Sequence, residues 1–142
     1  MALSVDADIV STLAGLRLFA DLDRPELEEI GHTFEEEVIP AGQRVLRQGL
    51  SGSNVYVILE GEAGLVLNGE ERASLGRGEF FGEVSVLLGE PPTSDIVAKT
   101  TLRCLVIPGP QLRGFLLAHP EVMLQMLLSV TWRLRTTLAW LS

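Results

Sequence analysis

The chain has 142 residues but only one cysteine, two histidines, one tyrosine and one lysine. The lone Cys104 excludes an intramolecular disulfide framework and a cysteine-rich zinc cluster. It sits in the apolar run Leu102, Cys104, Leu105, Val106, Ile107, so a buried, inert thiol is expected rather than a nucleophile. A metal site on a β framework needs histidines paired on adjacent strands. His32 and His119 both fall in helical segments, so they are read as solvated or capping and no metal site is expected. No Ser/His/Asp or Cys/His pairing is indicated by spacing, so no catalytic residues are assigned and the chain is not read as an enzyme. Basic residues are also scarce. Eleven Lys and Arg face nineteen Asp and Glu, for a net charge of −8. That is the wrong sign for a nucleic-acid surface, and the arginines form no stripe. No run approaches the roughly 20 apolar residues of a membrane span, and no signal peptide opens the chain. A cytoplasmic protein with no membrane or nucleic-acid partner is therefore expected.

What is abundant is apolar residues, at 46%, and glycine, at fourteen. The length fits one domain over 1–142 with a workable core. Ile9, Val10, Leu13, Leu16 and Leu18 form an apolar stripe predicting a helix over 6–18, with Ser4 or Asp6 as cap. Pro25, followed by Glu26, Glu28 and Glu29, predicts a second helix over 25–33. From 34 to 107 the period changes. Short Val-, Ile-, Leu- and Tyr-rich segments at 35–39, 44–48, 54–60, 62–68, 71–75, 95–99 and 102–107 alternate with glycine punctuation, which indicates a sandwich or barrel. Asn68-Gly69 is the strongest hairpin signal. The acidic runs Glu35-Glu36-Glu37 and Glu70-Glu71 read as solvated edges. Helical patterning returns over 108–142, with a short helix from Gln111 to His119 and a long one from Pro120 to about Leu141.

The chemistry-bearing stretch runs from Gly78 to Asp95. Gly78 and Gly82 permit backbone geometry that other residues resist. A helical turn beginning at Gly82 or Glu83 aims free N–H groups outward, which suits an anion. Thr93 and Ser94 add hydroxyl donors. A carboxylate beside anion donors suits a ligand with both a phosphate and sugar hydroxyls. Spacing alone leaves open an ordinary inter-strand loop, a Glu83 that merely complements the helix dipole, and hydroxyls that merely cap a turn.

This stretch resembles the phosphate-binding cassette of the cyclic-nucleotide-binding domain family. Phe81, Gly82, Glu83, Val84, Ser85, Val86, Leu87, Pro91, Thr93 and Ser94 fall in register. Leu18-Phe19-Ala20-Asp21-Leu22, Pro40-Ala41-Gly42, Gly49-Leu50-Ser51-Gly52 and Val55 to Gly61 are similar to other parts of the family pattern. The resemblance implies a mostly β domain: a jelly-roll β-barrel (double-stranded β-helix) with N-terminal helices and a long C-terminal helix. It implies ligand contacts at Phe81, Gly82, Glu83, Val84, Ser85, Thr93 and Ser94, with Glu83 on the ribose 2′-hydroxyl and Trp132 as a base lid. The implied ligand is cAMP or cGMP, with no other cofactor. One departure stands out: Pro92 occupies the position of the arginine that pairs with the phosphate, and Asp95 adds a negative charge nearby.

The last helix carries Met123, Leu127, Val130, Leu134 and Leu141 on one stripe and Leu124, Leu128, Trp132 and Ala139 on another. That is more apolar surface than one face against a small barrel needs. A homodimer through this helix is expected, with Arg133 and Arg135 at its solvated rim. Two functions follow. One is a regulatory sensor whose ligand repositions the C-terminal helix to control an unidentified effector. The other is a degenerate, non-binding domain used for dimerisation or partner binding.

Overall fold

The structure, a computed structural model, describes residues 9–50 and 54–141, with side chains up to 139. The first described helix, α1, covers 9–14 and closes at Gly15, whose N–H donates to the Thr12 carbonyl. The helix expected over 6–18 is therefore shorter at its C-terminal end. Arg17–Phe19 instead forms a separate 3₁₀ turn that buries Leu18 and Phe19. Residues 6–8, with the caps expected at Ser4 and Asp6, lie outside the described residues, as does the 51–52 half of the second turn. Helix α2 spans Arg24–Thr33. Asp23 accepts the Glu26 N–H while Glu26 reaches back to the Asp23 N–H, and a proline in the first turn pre-sets the backbone.

Among the described residues eight strands follow, interrupted by one short helix: β1 Glu35–Ile39, β2 Arg44–Leu46, β3 Asn54–Glu60, β4 Ala63–Leu67, β5 Glu70–Leu75, β6 Phe80–Phe81, α3 Glu83–Leu88, β7 Asp95–Ala98 and β8 Leu102–Pro108. They form two antiparallel sheets, one ordered β1-β8-β3-β6 and the other β2-β7-β4-β5. The expected mostly β architecture is present, but the sheets are not closed into a barrel: among the described residues no hydrogen-bonded strand pair joins one to the other. The hairpin at Asn68-Gly69 forms as expected. Asn68 (φ 53°) and Gly69 (φ 82°) are both left-handed, the combination a two-residue turn needs to match strand twist.

Two apolar clusters hold the layers together. One joins α1, the 3₁₀ turn, α2, the outer face of β3 and β8, and the C-terminal helices α4 (Gly109–Ala118) and α5 (Pro120–Leu141). The other lies between the sheets and includes Ile39, Leu46, Ile58, Leu75, Phe81, Ile96 and Cys104. Cys104 is fully buried, and burial, with Glu37 as a lesser influence, pushes its thiol up to about 12. It is the inert thiol expected.

Helices α4 and α5 meet at a bend of 113°. His119 lies at this elbow and is buried rather than solvated. Its Nδ1 is 3.2 Å from Glu26 Oε2 on α2, and Phe115 packs beside its ring. Its carbonyl accepts the Val122 and Met123 N–H groups, so it also caps α5. Along α5, Val122 and Met126 are buried and Val130 packs against the same core, which makes the inward stripe Val122, Met126, Val130. Val130 is therefore not the centre of an outward seam. The outward apolar residues are Met123, Leu124, Leu127, Leu128, Trp132, Leu134 and Leu138. No single helix among the described residues is long and apolar enough to cross a membrane.

Candidate functional site

Strand β6 and helix α3 meet at Gly82, and the local geometry admits only glycine. Its φ is +94°, and a Cβ there would stand 2.3 Å from the Asn54 carbonyl oxygen on β3. This tight passage turns the chain so that Glu83 begins α3 inside the molecule. Glu83 is only 5% exposed. Burial pushes its carboxyl above the usual carboxylate range, and the Arg133 guanidinium partly opposes that shift.

Arg133 comes from α5, continuing the inward stripe of Val122, Met126 and Val130. Its Nη1 donates to Glu83 Oε2 at 3.2 Å, and its Nη2 donates to the Phe80 carbonyl. Its guanidinium carbon sits 4.4 Å from the Phe80 ring centroid. Arg133 was expected at a solvated rim. The structure instead places it in the site, because its partners lie on elements about 50 residues away in sequence. The one available signal was its helical register with the buried stripe. Arg135 does stay outside, over the ring of Trp132.

These groups border a cavity of about 1200 Å³ between the cassette, the second sheet, the 3₁₀ turn and α5. Phe81, Gly82, Glu83, Val84, Ser85, Thr93, Ser94 and Trp132 all line it, so the structure brings the expected site residues together. Their surroundings differ. Phe81 is buried and stacks on Tyr56 with ring centroids 5.0 Å apart, so it supports the wall. Ser85 is buried and its hydroxyl donates to the Glu90 carbonyl, which ties the cassette to itself. Val84, Thr93 and Trp132 are exposed at the rim, with Trp132 at 58%. Pro92 is buried in the lining, and its carbonyl accepts the Gly49 N–H at 3.0 Å. Asp95 turns away from the cavity: it accepts the Gln48 N–H at 2.6 Å and stands 3.5 Å from Arg44 Nε, pinning β2 to β7.

The site thus combines two antiparallel sheets, a glycine-hinged cassette that buries one glutamate and a C-terminal helix laid along the cavity. Residues 36–119, more than half of the chain, match the family described as cyclic nucleotide-binding domain. The chain belongs to that family. Among curated proteins it is similar to a putative potassium channel protein of Rhodopseudomonas palustris, at 30% identity over 115 residues covering 79% of this chain. The chain spans only 28% of that relative's length. Among solved structures it is similar to the Thermus thermophilus catabolite activator protein, with TM-score 0.77 and 27% identity over 88% of this chain and 61% of that one. It also shares its fold with the regulatory subunit of a cAMP-independent protein kinase A from Trypanosoma brucei, with TM-score 0.74 and 23% identity over 93% and 48% of the two chains.

Proposed function

We propose that this chain is a cyclic-nucleotide sensor domain, for cAMP or cGMP, in which ligand binding at Glu83 repositions α5 and so controls an effector. The observation that carries this reading is the 3.2 Å ion pair between Glu83 and Arg133, which joins the cassette carboxylate directly to the helix. A ribose hydroxyl donating to Glu83 takes up the acceptor that Arg133 now uses. Burying the Glu83 charge is costly without a partner, so exchanging one partner for another biases where α5 rests. The ligand shifts α5 only by its differential affinity for the two arrangements. Support comes from family membership and from the gathering of all the expected contact residues at one cavity.

The test is calorimetric titration with cAMP and cGMP, with amide hydrogen exchange over residues 129–137 as the second readout. Saturable binding that weakens by at least about tenfold in Glu83→Ala, with altered exchange in α5, is the expected result. Binding that leaves α5 unchanged would remove the sensor mechanism while keeping the ligand.

A second reading draws on α5's outward face. Leu124, Leu127, Leu128, Leu134 and Leu138 are all exposed, and Pro92 supplies no cation to a phosphate. These features support a non-binding domain that dimerises through α5 or docks a partner. Because Val130 packs inward, the discriminating variant is Leu127→Glu, at a position 59% exposed. Light scattering after size exclusion should show a dimer that this variant converts to a monomer; a wild-type monomer at tens of micromolar sinks the dimer.

A further inference from the structure

In a chain of net charge −8 with ten arginines, four of those arginines (Arg17, Arg72, Arg77 and Arg133) line this one cavity, against Glu79 and Glu83. Arg133 is committed to Glu83, and Arg72 lies 3.1 Å from Glu70. Arg17 and Arg77 have no acidic partner among the described residues. Concentrated, unpaired positive charge at a concave site in an acidic protein focuses field on an anion.

Arg77 is held by a built turn. The Glu79 N–H donates to the Gly76 carbonyl at 3.0 Å, and the Gly76 N–H donates to Glu79 Oε2 at 2.6 Å. The Gly78 N–H and the Glu79 carbonyl then bond the Ile58 backbone on β3, both at 2.8 Å. The guanidinium rests against Gly15: a Cβ there would stand 2.8 Å from Arg77 Nη2. Gly15 thus leaves a seat for this side chain, and Arg17 follows two residues later in the 3₁₀ turn.

We infer that Arg17 and Arg77 form a second anion subsite, so that the preferred ligand is a nucleotide carrying a second phosphate group. This rests on the nucleotide-binding reading above and goes beyond it. On that reading the cassette supplies one carboxylate for a sugar, and Pro92 adds no cation for a phosphate. The cations without an acidic partner line the same cavity from the 3₁₀ turn and from the 76–79 turn just before β6, and there a further phosphate would meet them. Arginine meets phosphate bidentately, which suits it to this role. The volume of about 1200 Å³ exceeds the roughly 300–1000 Å³ of ordinary small-ligand pockets, leaving room beyond one mononucleotide. A second phosphate arrives either on the same nucleoside, as in a 3′,5′-bisphosphate, or on a second nucleotide unit, as in a cyclic dinucleotide.

Calorimetric titration of the full chain with cAMP, adenosine 3′,5′-bisphosphate and cyclic di-AMP, and with the guanine counterparts, tests this. At least one ligand with a second phosphate should bind at least about tenfold more tightly than the cyclic mononucleotide of the same base. Which of the two ligand types does so identifies the source of the phosphate. That ratio should collapse toward one in Arg17→Gln/Arg77→Gln, and fall part of the way in Gly15→Ala, which unseats Arg77 while keeping its charge. Thermal melts identify any variant that fails to fold, and the Gly15→Ala ratio then decides. Cyclic mononucleotides binding as tightly as the others, or a preference that survives both variants, overturns the inference while leaving the sensor reading intact. Absence of binding by every nucleotide overturns both.

Discussion

The two sheets of this domain are built to the same antiparallel plan but live in different surroundings. Strands β3 and β8 of the first sheet are covered on both faces, by the helices on one side and by the second sheet on the other. Val55, Val57, Ile58, Leu59, Leu102, Cys104, Leu105 and Ile107 are at most 1% exposed. The second sheet is covered on one face only: every residue of β5 except Leu75 is exposed, and β4 and β5 line the cavity. A sheet packed on both faces cannot move or vary without opening voids. A sheet with one face free can present Arg72 and small side chains such as Ala73 and Ser74 to a ligand at little structural cost. The first sheet is therefore the anvil that fixes Phe80 and Gly82, and the second is the cup whose lining is free to change.

Four experiments sharpen or break that contrast. The largest effect is expected in the first sheet, where Leu105→Ala should cost about 2–5 kcal/mol because the cavity it leaves cannot collapse. The matching Leu67→Ala in half-buried β4 should cost less than about 1 kcal/mol. Equal losses in urea unfolding would erase the distinction between the sheets. Next comes the junction. Gly82→Ala should cost about 1–3 kcal/mol and displace α3, because it forces an L-residue to positive φ against the Asn54 carbonyl. A variant as stable as wild type would mean that the passage relaxes easily.

On the cup side, Pro92→Arg brings a guanidinium into the lining at the cassette. It should tighten cAMP binding by at least about tenfold in calorimetry, equivalent to roughly 1.4 kcal/mol. Unchanged affinity would mean that the phosphate does not lie near position 92. The smallest effect is pH linkage at Glu83. Burial raises its carboxyl above the ordinary value of 4.5, the Arg133 guanidinium notwithstanding. Between 4.5 and that higher folded value, the folded state holds more protons than the unfolded chain. Stability must then fall as pH rises through this window. Glu83→Gln, which has no charge to bury, should lose that decline. If wild type gains stability over Glu83→Gln as pH rises, the Arg133 pair outweighs burial.

Local chemistry made much of the fold legible. The Asn68-Gly69 turn, the helix opening at Pro25 and the strands at 54–60 and 102–107 are all decided by residues close in sequence, and all formed as read; the capping box of Asp23 and Glu26 is just as local but went unread. Strand β6 went unread because two residues carry no period. In the site, the cassette was legible as a unit since its glycines and glutamate lie within a few residues of one another. Three features were not. His119 finds Glu26 across 93 residues, Arg133 finds Glu83 across 50, and Arg77 finds its seat on Gly15.

By itself, then, the sequence determined most of the elements, the family pattern and the position of Glu83 in the cassette, since each follows from backbone propensity and short-range spacing. Only the tertiary structure decided that the sheets remain two open layers and that α5 turns Val122, Met126, Val130 and Arg133 inward. It alone placed Arg17, Arg72, Arg77 and Arg133 around one cavity. The physical reason is the same in each case. A long, flexible arginine carries no periodic or propensity signal that names its partner. Its position is set when packing brings distant segments together and leaves its charge one site that is both polar and within reach.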